Sequence, residues 1–394
     1  MREKLLFISA ENPFPQDSGG KLRTGNILNI VLAKYDVDLL TYRNSRVSPA
    51  VDTAGSALTI HEVDCTVSYR KAMLRSLYKR RNCSYMSHVD LDMSSKIREL
   101  CNHTDYRHVF ISHSLLGYCI DIVTRILPQA MIISDAHNFE SGLSLQLAEK
   151  KKGLAKVYFT MNAWWTKQDE LKLLKRTDLL LTTSEQDGLS FKELSPKNAD
   201  KVHVIPNFIR MDNYRYDKCA TKEEWIILPG NMNYFPNVNA ATYFYEEIYP
   251  LIKAKIPGIK WYIVGRDVHP DVAALAEKDH SIVITGYVDS VADYIRRAKV
   301  VIAPLREGSG TRLKILEAWA LKTPVVSSTK GAEGLIYNHA GDIFIADDPL
   351  SFAESVVTLM QDHDRGVMMA DRAHQTMLAH YEAESIRDKL LSLV

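Results

Sequence analysis

The stretch KVVIAPLREGSGTRLKILEAWALKTPVVSS, residues 299–328, decides how this chain is read. It opens on a run that is apolar on both faces, the pattern of a strand buried inside a parallel sheet. The loop behind that strand carries Gly308 and Gly310, residues that let a backbone take unusual dihedrals and approach a ligand closely. A helix is expected to start near Thr311 and run to about Leu321, before Pro324 opens the next strand. Its first turn offers unpaired N–H groups and a positive dipole end, which together favour an anion. Arg312 and Lys314 add two charges there. A guanidinium can grip phosphate oxygens in pairs, and an ammonium supplies a compact charge. Glu317, one to two turns further on, would be repelled by a phosphate unless its task is hydroxyls, those of a ribose first. A lone GxG is as well explained by an ordinary βα loop with solvated Arg and Lys. The combination of strand, GSGTR, Lys and Glu points to a phosphate site.

Further short apolar runs flank this stretch, with helical patterns between them. Strands are expected at 4–9, 36–42, 58–63, 108–112, 131–136 and 178–184 in the first half. In the second half they are expected at 225–230, 260–265, 281–286, 299–305, 323–328 and 342–346. Alternation of strand and helix makes each half a doubly wound α/β unit. The expected fold is therefore α/β, with two Rossmann-like domains facing across a cleft. The first should span 1–207 and the second 222–375, joined near 206–222, with helix 383–394 packing back onto the first. Ligands belong at the C-terminal ends of the strands.

The totals agree with this plan. A chain of 394 residues is long for one core, and 46% apolar with 25% charged residues is ordinary globular composition. A net charge of +1 gives no field that would mark a nucleic-acid binder. Cys65, Cys83, Cys101, Cys119 and Cys219 form no CxxC pair and are odd in number, which argues against a disulfide framework or a zinc site and fits a reducing cytoplasm. MREKLLFISAENPFP does not read as a signal peptide, because its apolar run is short and Pro13 and Pro15 follow at once. No window approaches the length of a membrane span. The two Asp-x-Asp strings, Asp36–Asp38 and Asp90–Asp92, are read as structural: one opens a buried strand and the other lies far from the phosphate segment. No metal is expected, since Arg312, Lys314 and the helix dipole can neutralise a diphosphate.

The second half resembles family-4 retaining glycosyltransferases of the GT-B fold. The match runs over IAPL before the loop, LEAWALKTPVVSS after it, GAEGL at 331–335, GNMNYFPNVNAATYFYEEIYPLI at 230–252, WYIVGRD at 261–267 and ITGYVDSVADYIRRAKVVIAPL at 284–305. The resemblance covers nearly all of 200–350 and is looser before that. It implies a nucleotide-sugar bound to the second domain. The family's donor signature has two glutamates separated by seven residues; the second matches Glu317, which the resemblance assigns to the ribose. The first falls on Ser309, with Glu307 two residues earlier, so either Ser309 or Glu307 takes the hydroxyls of the donor sugar. The donor site is then Gly230, Asn231, Val288, Glu307, Gly308, Ser309, Gly310, Thr311, Arg312, Lys314 and Glu317. In that set Gly230 and Asn231 border the diphosphate, Val288 reads the base with its backbone, and Arg312 and Lys314 take the phosphate role, as in relatives with a GxGTRxK helix start.

In the first half the resemblance assigns the turn Gly19–Gly20 to the acceptor side, and His137, in SDAHNFES at 134–141, to the transferred sugar; a structural histidine is the plainer alternative. Glu140 reads as a helix-cap acid. The catalytic set is thus His137, Arg312 and Lys314. RKAMLRSLYKRR at 70–81 reads either as a solvated basic helix or as an amphipathic one lying on an anionic membrane, with Lys150 to Lys152 extending the patch. The expected activity is retaining, metal-independent transfer of a sugar from a UDP- or GDP-sugar to a glycan or lipid-linked acceptor. Its setting would be bacterial polysaccharide or glycoconjugate synthesis, in the cytoplasm or on the inner face of the plasma membrane. No cofactor is expected. The alternative is an inactive relative that binds nucleotide-sugar as a scaffold.

Overall fold

The computed structural model describes residues 2–16, 18–43, 57–64, 67–214, 222–308 and 312–394. They fall into two compact units, Met1–Pro206 with Arg387–Val394, and Asn207–Ile386.

The first unit holds seven parallel strands: β1 (Glu3–Ser9), β2 (Tyr35–Tyr42), β3 (Leu58–Val63), β4 (His108–Ser112), β5 (Met131–Ala136), β6 (Leu179–Thr182) and β7 (Val202–Val204), in the order β3-β2-β1-β4-β5-β6-β7. The second holds six: β8 (Glu223–Pro229), β9 (Lys260–Val264), β10 (Ile282–Gly286), β11 (Ala298–Ala303), β12 (Val325–Ser327) and β13 (Phe344–Ile345), in the order β10-β9-β8-β11-β12-β13. Leu5, Leu6, Phe7 and Ile8 of β1 are all fully buried, as are Val300, Val301 and Ile302 of β11. Continuous apolar runs therefore become central strands covered on both faces. In each unit the strand order reverses beside the first strand, between β1 and β4 and between β8 and β11. Such a reversal opens a crevice at the carboxyl ends of those two strands.

Three local expectations change. The helix after β11 spans Leu313–Ala320, with Arg312 as its cap residue, so it starts two residues later than Thr311; Ser309, Gly310 and Thr311 lie outside the described residues. β7 extends the first sheet by a strand that is not among the expected runs. The last helix, Ala383–Leu393, straddles the two units, and Lys34 Nζ donates to the carbonyls of Leu391 and Val394 within the first of them.

The two Asp-x-Asp strings are occupied structurally. Asp38 accepts from Tyr106 Oη at 2.6 Å and from Lys4 Nζ at 3.3 Å. Its carboxyl is buried, yet bonds from His61 and Tyr106 bring it down to about 2. Asp90 caps the helix Leu91–His103 by accepting from the Asp92 N–H at 2.8 Å. Among the described residues no helix is long and apolar enough to cross a membrane.

Candidate functional site

In the second unit, β8 ends at Pro229 and is followed by Gly230, whose φ of 147° suits glycine. Gly265, past the end of β9, packs so close that a Cβ there would sit 1.7 Å from the Gly230 carbonyl oxygen. Beside this glycine floor lies the side chain of Lys314, from the first turn of Leu313–Ala320. Its Nζ donates to Asn237 Oδ1 at 2.8 Å, and Asn237 Nδ2 donates to the Asn231 carbonyl at 2.8 Å. The ammonium is thus held next to the turn at 230–231. Burial lowers its pKa to about 7; the nearby Arg312 charge pushes the same way and Glu317 opposes them.

Arg312 is more deeply buried, at 7% exposure, and donates from Nη2 to the Lys330 carbonyl at 3.3 Å. Gly308, with φ 108°, makes room for it, since a Cβ there would meet the guanidinium at 2.9 Å. Glu317 accepts from Tyr214 Oη at 2.9 Å. Burial raises its carboxyl to about 7, against the lowering effects of that bond and of Lys314. The helix start therefore gathers a guanidinium, an ammonium and a carboxyl whose charge is poised near neutrality. A diphosphate arriving there would favour the charged form of Lys314 and the neutral form of Glu317.

Other predicted residues stand differently. The Glu307 carboxylate is buried and accepts from Asn239 Nδ2, on the helix Phe235–Tyr243. Asn231 uses its amide locally: Oδ1 accepts from the Asn233 N–H at 2.8 Å and Nδ2 donates to Asp267 Oδ2 at 3.3 Å. Val288 follows the end of β10, the edge strand two places from β8. Beside it Gly286 has φ 66° and Tyr287 is exposed. Asn237 and Tyr214 were not foreseen. Asn237 stands in the quoted 230–252 segment, but an asparagine inside a helix gives no local sign that its amide will seat a lysine.

Gly230→Ala tests the floor. The new Cβ would press on the Asn237 amide at 2.7 Å and lie 3.4 Å from Lys314 Nζ, in a left-handed conformation. Nucleotide affinity is expected to fall roughly tenfold with a stability loss of about 1–3 kcal/mol, read by calorimetric titration and a thermal melt.

In the first unit the ends of β1, β4 and β5 carry the second set of residues. Gly19 and Gly20 open the helix Gly19–Val31, which Ser18 caps by accepting from the Lys21 N–H. His137, just past β5, lies over this turn: a Cβ on Gly20 would be 3.6 Å from its Nδ1. On its other side Nε2 lies 3.1 Å from Asp135 Oδ2 and 3.3 Å from Ser112 Oγ. Asp135 is fully buried and takes Arg23 Nε at 2.9 Å and Nη2 at 2.5 Å, while Arg23 Nη1 donates to the Ile205 carbonyl at 2.9 Å. Burial alone would raise the Asp135 carboxyl, but the Arg23 charge and the His137 contacts hold it far below the usual carboxylate range. The Arg23–Asp135–His137 row was not foreseen, because its members lie far apart in sequence. His113 stacks near His137 with ring centroids 4.8 Å apart, and holds φ 90°, a strained value for a non-glycine residue. Its imidazole is pushed well down by burial first and by the neighbouring histidines. Glu140 lies in the first turn of Glu140–Glu149, but Phe139 is the cap residue and no side chain caps the helix; the Glu140 carboxylate accepts from Asn138 Nδ2 at 3.1 Å, and burial raises its pKa.

Residues 223–362 match the family model described as glycosyl transferases group 1. Over 401 residues the chain is 22% identical to the "Uncharacterized 44.6 kDa protein in cps region" of Klebsiella pneumoniae, with 97% of each covered. It is 25% identical over 148 residues to the "Lipopolysaccharide core biosynthesis glycosyltransferase LpsE" of Rhizobium meliloti, covering 36% of this chain and 43% of that one. Among solved structures it is similar to Anabaena Alr3699/HepE in complex with UDP and glucose, with a TM-score of 0.72 at 12% identity and 99% of both chains covered. The matched domain contains Gly230, Asn237, Arg312, Lys314 and Glu317. The chain is a glycosyltransferase, and its two parallel-sheet domains have the GT-B fold.

Proposed function

We propose that this glycosyltransferase is a retaining, metal-independent enzyme of family-4 type. It moves a sugar from a UDP- or GDP-sugar to a glycan or a lipid-linked glycan in bacterial polysaccharide or glycoconjugate synthesis. One observation carries the reading: the half-buried ammonium of Lys314 and the buried guanidinium of Arg312 converge beside a glycine turn at the strand-order reversal of the second unit. Two cations so arranged suit a diphosphate. That Alr3699/HepE is seen with UDP and glucose, and that the relatives are a cps-region protein and a lipopolysaccharide core glycosyltransferase, supports the donor class and the setting.

In this reading Lys314 and Arg312 hold the diphosphate, Glu317 accepts from the ribose hydroxyls, and the backbone at Val288 meets the base. As the bond between the anomeric carbon and the phosphate oxygen breaks, negative charge grows on the leaving phosphate. The two fixed cations gain more there than in the ground state, which is what accelerates the step. The acceptor hydroxyl attacks the same face and gives its proton to the leaving phosphate, so configuration is retained without a covalent sugar on the protein. In the first unit, Gly19–Gly20 serve the acceptor, and His137 serves the transferred sugar by hydrogen bonding a hydroxyl or easing charge at its anomeric carbon.

The test is a thermal-shift panel of UDP- and GDP-sugars in EDTA, followed by turnover of the sugar that binds. A ligand present at about 100 times its Kd stabilises by about 2.7 kcal/mol, a shift of several degrees. One base is expected to stabilise and the other not, with turnover unchanged by EDTA. If no nucleotide-sugar moves the melt, the donor reading fails. Loss of turnover in EDTA that Mn²⁺ restores would overturn metal independence.

A further inference from the structure

Large apolar side chains are exposed together on the first unit. The helices Glu140–Glu149 and Gly153–Arg176 pack along each other. On the longer one Leu154, Val157, Met161 and Trp164 recur at helical spacing and are 89%, 57%, 44% and 58% exposed. Apolar side chains exposed together in such a row keep surface in water whose removal would be favourable, which marks an interaction site. Thr166, Glu170, Leu173 and Leu174 of the same helix are buried, so this helix is already anchored elsewhere along its length.

The charge around the row is one-sided. From Lys150 to Gln168 there are five lysines and no acid. A second segment repeats the pattern. The helix Tyr69–Lys79 exposes Leu74, Leu77 and Tyr78, and no acid occurs between Asp64 and Asp90. The two segments are joined: the Cys83 N–H donates to Asn162 Oδ1 at 3.2 Å, Asn82 bonds Thr166, and Arg81 pairs with Asp169. The C-terminal end of the basic helix is thereby pinned to the middle of the long helix.

We propose that these two helices form a docking surface for an anionic lipid bilayer. Leu154, Val157 and Trp164 enter the headgroup–acyl boundary, and the neighbouring lysines and arginines meet the lipid phosphates. Leucine and tryptophan interleaved with lysine on helices too polar to span a membrane is the composition of an interfacial element. Long basic side chains can lay their stems on the apolar row and keep their charges at the headgroups. The charge complementarity selects anionic lipid over neutral lipid. The surface belongs to the first unit and does not depend on what the second one binds.

Flotation of the full chain with phosphatidylcholine vesicles, with and without about 30 mol % phosphatidylglycerol, tests it. Binding to the anionic vesicles is expected to be at least about tenfold tighter than to neutral ones and to weaken in high salt. Leu154→Glu with Val157→Glu, at positions whose exposure spares the fold, is expected to lose at least about tenfold, as is charge reversal of Lys150 to Lys152 by glutamate. Melting temperatures within about 2 °C of the parent certify both variants. Absence of flotation with anionic vesicles, or variants that float like the parent, would overturn the proposal. So would a concentration-dependent dimer, seen by light scattering, that the double glutamate variant abolishes, since the occupant would then be a second copy.

Discussion

Lys314→Met is expected to lower kcat for sugar transfer about 100-fold while raising the melting temperature of the second unit. The two effects have one cause. Burial beside Gly230 and near Arg312 holds the ammonium's pKa at about 7. An unfolded chain keeps a lysine near 10.4. Between those two values the unfolded chain binds a proton that the folded one has released. The cost of burying this amine is therefore absent above about pH 10, grows as pH falls, and is complete below about 7. Methionine keeps the stem and removes that cost, less the bond lost by Asn237 Oδ1. The net gain at pH 7 is on the order of 1–2 kcal/mol, because the side chain is not wholly removed from solvent. A bound diphosphate would reverse the preference and hold Lys314 charged, so nucleotide binding should take up a proton above pH 7. Affinity is then expected to fall as pH rises from 7 to 9, by up to about tenfold per unit, and the methionine variant should lose this slope. Titration in buffers of different ionisation enthalpy counts the protons. Near-normal turnover in the variant, or proton release on binding, would contradict the phosphate role of Lys314.

What could be read before the structure was known follows the range of the forces involved. Each expected strand has a counterpart among β1 to β6 and β8 to β13; the central ones announce themselves locally because a strand covered on both faces must be apolar throughout. β7, Val202–Val204, buries only Val202, so its run lacks the apolar pattern of a covered strand. Arg312, Lys314 and Glu317 were legible as a helix-start pattern, since they lie within one short segment. Their partners were not. Tyr214 reaches Glu317 across 103 positions and Asn237 reaches Lys314 across 77, and neither carries a periodic or compositional mark. Glu307 shows the limit from the other side. Its place near the signature left it beside Ser309 as an alternative for the donor sugar's hydroxyls, and its bond from Asn239, 68 positions away, carries no local mark. A charged residue's sequence neighbours fix where its Cα lies, and its long-range hydrogen bonds decide which way it faces.

Asp135→Asn is expected to cost the first unit about 3–5 kcal/mol, a fall of roughly 10 °C in its melting temperature. Arg23 and Asp135 are both essentially inaccessible to solvent, and the guanidinium meets the carboxylate through two nitrogens. Removing the anion strands a charge in a site closed to solvent. That penalty exceeds the modest net worth of the pair, so replacing both partners with apolar residues, Arg23→Met with Asp135→Leu, should recover most of the loss. Asp135 is held far below its unfolded pKa, so its contribution is complete above about pH 4 and is lost only in strong acid. The single variant should therefore melt low throughout the neutral range. The same substitution reaches His137. With Asp135 ionised, the imidazole donates from Nε2 and turns its Nδ1 toward the Gly20 turn. An asparagine can present either an acceptor or a donor there and no longer fixes that tautomer. If His137 serves the transferred sugar, the double apolar variant should regain stability but not turnover, and His137→Ala should lose turnover with little change in the melt. A melting temperature for Asp135→Asn within about 2 °C of the parent would show that the buried pair is not what holds these strand ends together.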